Sequence, residues 1–166
     1  MTTSFPFGFY DHRVFRETQD VLFADIGVPG SNGIDLVRHY GPAVSPPDKD
    51  GSKTFYSHIH QTDANRVILG SRLFELVCLE WEVPHWYIYL TPDTGALEIP
   101  PGCLHRSYSC KEGSILINHA KRGPHYKESN EFIPVSFDTM LEPLTTGLYN
   151  ITDNEVAHFI KHGTLT

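Results

Sequence analysis

Three histidines pose the first chemical question. His58 and His60 stand two residues apart, and His105 follows the turn Pro100-Pro101-Gly102 about 45 residues later. Residues i and i+2 of a β-strand project to one face. If the segment from Thr54 to His60 is a strand, His58 and His60 share a face with Tyr56, while Phe55, Ser57 and Ile59 take the other. The prolines fix the approach to His105, and the glycine permits the turn into the next strand. Three imidazoles from two adjacent strands can hold one divalent ion at bonds of about 2.0–2.2 Å and leave coordination positions open, as catalysis requires. The expected ligands are therefore His58, His60 and His105, with ring nitrogens about 3 to 4.5 Å apart, holding iron, manganese, nickel or zinc. Asp63, the nearest carboxylate, is the weaker candidate for a fourth position. Without a metal or a hydrated pocket, three buried imidazoles would leave ring nitrogens unsatisfied in an apolar interior.

Other polar residues are weighed against plain structural roles. Arg66 is a candidate for bidentate binding of a carboxylate or phosphate, whereas Arg72 reads as a solvated surface arginine. Glu75 lies in an apolar strand and is expected to point outward into solvent. Trp81, Trp86, Tyr87 and Tyr89 serve a barrel mouth or, more commonly, a core or subunit contact. Cys103 reads as a small buried hydrophobe. The chain has neither a glycine-rich phosphate loop nor a nucleophile elbow.

These side chains need a β framework to position them. Short β-prone runs recur at Ile34 to His39, Thr54 to His60, Arg66 to Leu69, Leu73 to Trp81, Trp86 to Leu90, Leu97 to Ile99, Leu104 to Ser109 and Ser114 to Asn118. Ile133 to Phe137 is a candidate closing strand, and Phe5 to Val14 an arm or edge strand. The loop from 41 to 53, with three prolines, reads as a mobile surface segment. Strands at this spacing build a sandwich or barrel rather than βαβ units. One helix is expected over about 153 to 162: Thr152 and Glu155 form a capping box, Val156, Phe159 and Ile160 form an apolar stripe, and Gly163 stops it.

The 166 residues suit one domain: an N-terminal arm over 1–33, a barrel over about 34–137, then the helix. The net charge of −7 argues against nucleic-acid binding, which needs surplus Lys and Arg. No apolar run approaches a membrane span, and Met1 to Pro6 does not read as a leader. Three irregularly spaced cysteines form no disulfide framework, so a reducing cytoplasm is the default location. Aromatic residues at 12% and the edge strands of a small barrel favour a homodimer.

Two segments resemble the paired motifs of the cupin superfamily. Gly51, His58-Ile59-His60 and Gly70 stand in for the first; Gly95, Pro100-Pro101-Gly102, Cys103-Leu104 and His105 match the second more specifically. The resemblance covers about residues 51 to 118 and implies an all-β, jelly-roll barrel. The chain departs from the family pattern at the first motif's glutamate, where Ala64 and Asn65 stand, and at the second motif's asparagine, where Ser109 stands. The set carried over is thus three histidines. Loss of the carboxylate leaves the site more positive and favours an anionic or chelating small-molecule substrate. Cupins of this kind include metal-dependent oxygenases and isomerases, the first expectation here. The segment from Arg66 to His119 is also similar to the nucleotide-sugar epimerases and ketoisomerases of the superfamily. That alternative implies a metal-free site with His58 or His60 as base and Tyr56 or Tyr108 as acid. A ligand-binding module without catalysis is the third reading.

Overall fold

The run Leu73-Phe74-Glu75-Leu76-Val77 shows no alternation of apolar and polar residues because both faces of its strand are covered. The computed structural model describes residues 5–19, 22–137 and 144–166. In chain order its strands are β1 (Gly8–Tyr10), β2 (Arg13–Glu17), β3 (Leu22–Asp25), β4 (Gly33–His39), β5 (Val44–Ser45), β6 (Thr54–Phe55) and β7 (Gln61–Leu69). There follow β8 (Arg72–Val77), β9 (His85–Leu90), β10 (Ala96–Ile99), β11 (Leu104–Ser109), β12 (Ser114–Arg122), helix α1 (Glu128–Glu131), β13 (Val135–Ser136), β14 (Thr146–Tyr149) and helix α2 (Asp153–His162).

Two five-stranded sheets face each other, in the orders β1-β10-β7-β12-β4 and β14-β9-β8-β11-β5. Their pairings are antiparallel except β14 with β9, which is parallel. Between them lies an apolar core that includes Val67, Phe74, Leu76, Ile88, Leu97 and Leu116. Burying each of these side chains contributes about 1.5–3 kcal/mol. The chain passes from β7 in the first sheet to β8 in the second through a turn at Gly70, whose φ of 73° and the adjacent Gly113 carbonyl leave no room for a Cβ.

Helix α2 closes the outer face of the second sheet, setting Val156 and Phe159 against Leu73 and Tyr108. Its expected capping box is present, and Gly163 ends it in the left-handed conformation with its N–H on the Phe159 carbonyl at 2.7 Å. Among the described residues no helix is long and apolar enough to cross a membrane.

Several extents differ from the sequence reading, and one difference decides the site. Only Thr54–Phe55 of the expected strand over 54 to 60 is a strand; Tyr56 makes an isolated bridge to His105, and residues 59–60 form a bend. The next strand begins at Gln61, not Arg66. β8 stops at Val77, where the Cys78 N–H bonds the Pro84 carbonyl and turns the chain. Residues 135–136 pair with β6 rather than joining either large sheet. The segment from 41 to 53 carries β5, which pairs with β11. Residues 1–4 and 20–21 of the expected arm lie outside the described residues.

Candidate functional site

The site is built on β7. Gln61, Asp63 and Asn65 alternate with Thr62, Ala64 and Arg66, and Asp63 and Asn65 line the barrel cavity. Asp63 is 4% exposed. Its Oδ1 accepts from Gln61 Nε2 at 2.7 Å and from Asn118 Nδ2 at 2.9 Å. These two amides fix the carboxylate plane and leave Oδ2 facing two imidazoles: His58 Nε2 lies 3.3 Å away and His105 Nε2 3.6 Å. The two rings sit 4.9 Å apart between centroids.

Both rings have a fixed tautomer. His58 Nδ1 lies 2.7 Å from the Glu131 carbonyl oxygen, and His105 Nδ1 lies 3.1 Å from that of Cys103. A carbonyl only accepts, so each Nδ1 carries a proton and each Nε2 is the atom presented to Asp63. The carriers are tied by main chain: Tyr56 and His105 exchange two backbone bonds of 2.9 Å, and the Gly102 N–H bonds the His58 carbonyl at 2.7 Å.

The environments of the two rings push them apart electrostatically. Burial alone would lower the His58 pKa, but Asp63 and Glu131 outweigh it and raise it above the ordinary histidine value. At His105 burial dominates over the attraction of Asp63 and holds the ring below that value. Asp63 is raised by burial, yet its contacts with His58, His105 and Asn118 prevail, and it stays ionised.

A cavity of about 110 Å³ opens beside these groups, lined among others by Tyr56, Arg72, Asn118 and Phe132. Arg72 is buried rather than solvated, with Nε on Ser114 Oγ at 2.8 Å and Nη2 on the Val37 carbonyl at 3.0 Å. Burial lowers its pKa to about 10, which still leaves it cationic at neutral pH. Phe132 approaches the His58 ring at 5.0 Å between centroids and the Tyr56 ring at 6.1 Å.

Three sequence-selected residues stand elsewhere. His60 does not join the pair: it is exposed, and its ring lies against His125 at 5.8 Å. Its segment bends instead of running as a strand, so the i, i+2 relation fails, and Asp63 fills the third position of the group. Tyr108 projects from the other face of β11, donating to Glu75 Oε2 at 2.8 Å. Burial and then Glu75 push its hydroxyl far above the usual tyrosine range, which makes it a poor acid. Arg66 likewise leaves the barrel and bonds the Tyr10 carbonyl at 2.7 Å. Glu75 does point away from the barrel interior as expected, but it is fully buried.

Glu131 carries no sequence signal for its role. It is 1% exposed, and its carboxylate accepts the backbone N–H groups of Ile59 at 2.8 Å and His60 at 3.2 Å. One residue thus grips the His58 loop through its side chain and orients the His58 ring through its carbonyl. Asn118 and Gln61 also escaped notice. The polar alternation Gln61-x-Asp63-x-Asn65 was the signal that could have found the floor of the site.

No protein-family model matches the chain, and no curated protein matches it in sequence. Solved structures do match. The sugar 3,4-ketoisomerase QdtA from Thermoanaerobacterium thermosaccharolyticum, in complex with TDP, is 16% identical over 80% of this chain and 89% of that one, with a TM-score of 0.56. The dTDP-4-dehydrorhamnose 3,5-epimerase from Bacillus anthracis, with TDP and PPi bound, is 14% identical over 86% and 84%, with a TM-score of 0.58. The TDP-fucose-3,4-ketoisomerase WlaRA from Campylobacter jejuni is 11% identical over 78% and 89%, with a TM-score of 0.55. Identities this low speak to architecture, and the chain has the cupin fold, in the small-barrel form shared with these sugar epimerases and ketoisomerases.

Proposed function

We propose that the protein is an isomerase or epimerase of a small carbonyl compound of the sugar class, working by proton transfer between two histidines held on one aspartate. The observation that carries this reading is the buried convergence of His58 Nε2 and His105 Nε2 on Asp63 Oδ2. Two titratable groups whose surroundings separate their pKa values are suited to act as acid and base. His105, held neutral, presents its Nε2 lone pair and takes a proton from the carbon beside the carbonyl. The C–H electrons move into the new C=C bond, and the carbonyl oxygen gains negative charge. His58, protonated against Asp63, gives its Nε2 proton to that oxygen. Reversal at the neighbouring carbon yields the isomer; return of the proton to the opposite face of the first carbon yields the epimer.

The cavity is well below the roughly 300–1,000 Å³ of sites that enclose a drug-sized ligand. Only the reacting end of a substrate enters, and Tyr56 and Phe132 contact what lies at the mouth. Arg72 supplies positive charge for a polar or anionic substrate. The structural neighbours with bound TDP support a nucleotide-linked sugar as the first substrate to try.

A second reading has its own observation. His58 Nε2, Asp63 Oδ2 and His105 Nε2 are mutually placed as ligands of one ion. Their separations of 3.3 and 3.6 Å are longer than the roughly 2.7–2.9 Å of a charge-assisted hydrogen bond and near the ~3.3–3.4 Å edge of a tetrahedron with ~2.0–2.1 Å bonds. The Nδ1–H bonds to backbone carbonyls are the outer support that metal-bound histidines ordinarily have. A divalent transition ion there would polarise the substrate carbonyl as a Lewis acid.

The deciding experiment incubates the purified protein in deuterium oxide with dTDP-4-keto sugars and free keto sugars, with and without a chelator. Metal content is measured in parallel. The first reading expects deuterium at the carbon beside the carbonyl, undiminished by chelation and lost in His105→Asn. Exchange that requires a stoichiometric ion moves the assignment to the second reading. No exchange with any keto sugar in either state overturns both.

A further inference from the structure

Inside the barrel, one charge has no protein counterpart. On β8, Leu73 packs outward with helix α2, while Arg72 and Phe74 turn inward and line the cavity together with His58 and His105. Arg72 Nε and Nη2 are held by Ser114 Oγ and the Val37 carbonyl. Its Nη1 has no hydrogen-bond partner among the described residues. Unlike Nη1 of Arg66 and Arg106, however, that atom is not sealed from solvent, and it opens on the cavity that the side chain lines.

The other charges around this cavity are matched. Asp35 takes Arg122 Nη2 at 2.7 Å, Arg106 Nη2 donates to Asp48 at 2.6 Å, and Asp63 faces His58 at 3.3 Å. Among the described residues no carboxylate pairs with Arg72; only the Cys110 thiol opposes the effect of burial on it. Its field reaches His39, whose pKa is lowered to about 4, by burial first and then by Arg72. A buried cation without a counter-ion is unfavourable, and salt screens it far less than a surface charge. Asn65 and Ser107 line the same cavity, and their side chains form no hydrogen bond among the described residues. The space of about 110 Å³ equals about three or four water molecules at ~30 Å³ each, enough for a carbonyl and a carboxylate a few atoms apart.

We propose that the unit entering the barrel is a keto acid. Its carboxylate accepts from Arg72 Nη1 beside Asn65 and Ser107, and its carbonyl lies against His58 and His105. One guanidinium matches one negative charge, which favours a carboxylate over a phosphate dianion. This inference rests on the reading of the barrel as a proton-transfer site and narrows its substrates to keto acids and keto-sugar acids.

The test is calorimetric titration of the full chain, dialysed against a chelator that is then removed, so that no bound ion serves as the acceptor. The probes are 2-ketobutyrate, its uncharged isostere 2-ketobutyramide, and inorganic phosphate. The keto acid is expected to bind one to one, at least about tenfold more tightly than the amide or phosphate. Arg72→Met should erase that preference and leave the amide within about threefold. If Arg72→Met fails to fold by circular dichroism, Arg72→Gln, which keeps an amide donor for the Val37 carbonyl, replaces it. A wild-type preference below about threefold, phosphate binding equal to that of the keto acid, a preference that survives loss of the Arg72 charge, or no binding of 2-ketobutyrate up to about 10 mM overturns the proposal. Deuterium exchange into the keto acid is read separately. Preferential binding without exchange upholds the Arg72 assignment and removes the proton-transfer reading; exchange without a charge preference does the reverse.

Discussion

Asp63 and Glu75 are two buried carboxylates on consecutive strands, β7 and β8, one in each large sheet, and they are finished in opposite ways. Glu75 projects away from the barrel interior and is saturated. Its Oε1 takes Lys53 Nζ at 3.0 Å, His85 Nε2 at 3.2 Å and the Tyr87 hydroxyl at 3.0 Å; its Oε2 takes the Tyr108 hydroxyl at 2.8 Å. Asp63 projects inward, with one oxygen fixed by two amides and the other left to imidazoles at distances too long for strong hydrogen bonds. A saturated buried carboxylate holds a structure together; a half-saturated one beside a cavity is poised to act on something else.

Removing each group should separate the two roles. The largest effect is expected from Asp63→Asn, which should lower the rate of deuterium exchange into a turned-over keto sugar by about 10² or more, with a small change in melting temperature. A drop in stability with activity preserved would reverse the assignment. Glu75→Gln should do the opposite. It should cost about 2–4 kcal/mol, because Lys53, His85 and two tyrosines lose their shared acceptor charge, while leaving the exchange rate within about threefold. Chemical denaturation reads the first quantity and the exchange assay the second.

Acid sharpens the contrast. The Glu75 carboxyl is raised by burial but pulled down more strongly by His85, Lys53 and Tyr108, to about 2 from 4.5. A depressed carboxyl stabilises the fold above its unfolded pKa and loses that contribution as pH falls toward its folded value. Between about pH 4.5 and pH 2 the wild type should lose roughly 3 kcal/mol from this group, and Glu75→Gln should lack that component. Identical acid profiles for the two proteins would contradict the saturation argued for Glu75.

Two smaller effects test how the histidines are held. Glu131→Ala frees the backbone donors of Ile59 and His60 and loosens the loop that carries His58. It should slow exchange by about tenfold at a stability cost of about 1–2 kcal/mol. His60→Ala should change neither quantity by more than about 0.5 kcal/mol, since its ring is exposed. A large loss of activity in His60→Ala would restore the three-histidine site expected from sequence.

The sequence showed the β framework and the capped helix well, because each is written in local periodicity and turn residues. Thr152, Glu155 and Gly163 behave as their types require. It singled out His58 and His105, which the structure brings together, and His60, which the structure holds apart for an identifiable reason. Tyr56 to His60 has strand-like composition, but propensity does not distinguish an extended bend from a paired strand, and one misjudged boundary reverses every side chain beyond it. Asp63 ranked only as the weaker candidate for a fourth position because β7 was expected to begin at Arg66. The same error hid the inward Gln61 and Asn65. Glu131 was beyond reach, since its contacts with Ile59 and His60 span 72 and 71 residues and follow from how the chain returns over the mouth.

The backbone bonds joining Tyr56 to His105 and Gly102 to His58 reach past the present chemistry. They hold the two carrier segments together without using the side chains that do the work. Residues at 58, 63 and 105 can therefore be exchanged over evolutionary time, or by a protein engineer, while the frame that aims them stays in register. A barrel braced in this way can pass between proton transfer, ion binding and plain ligand capture through a few substitutions at those positions.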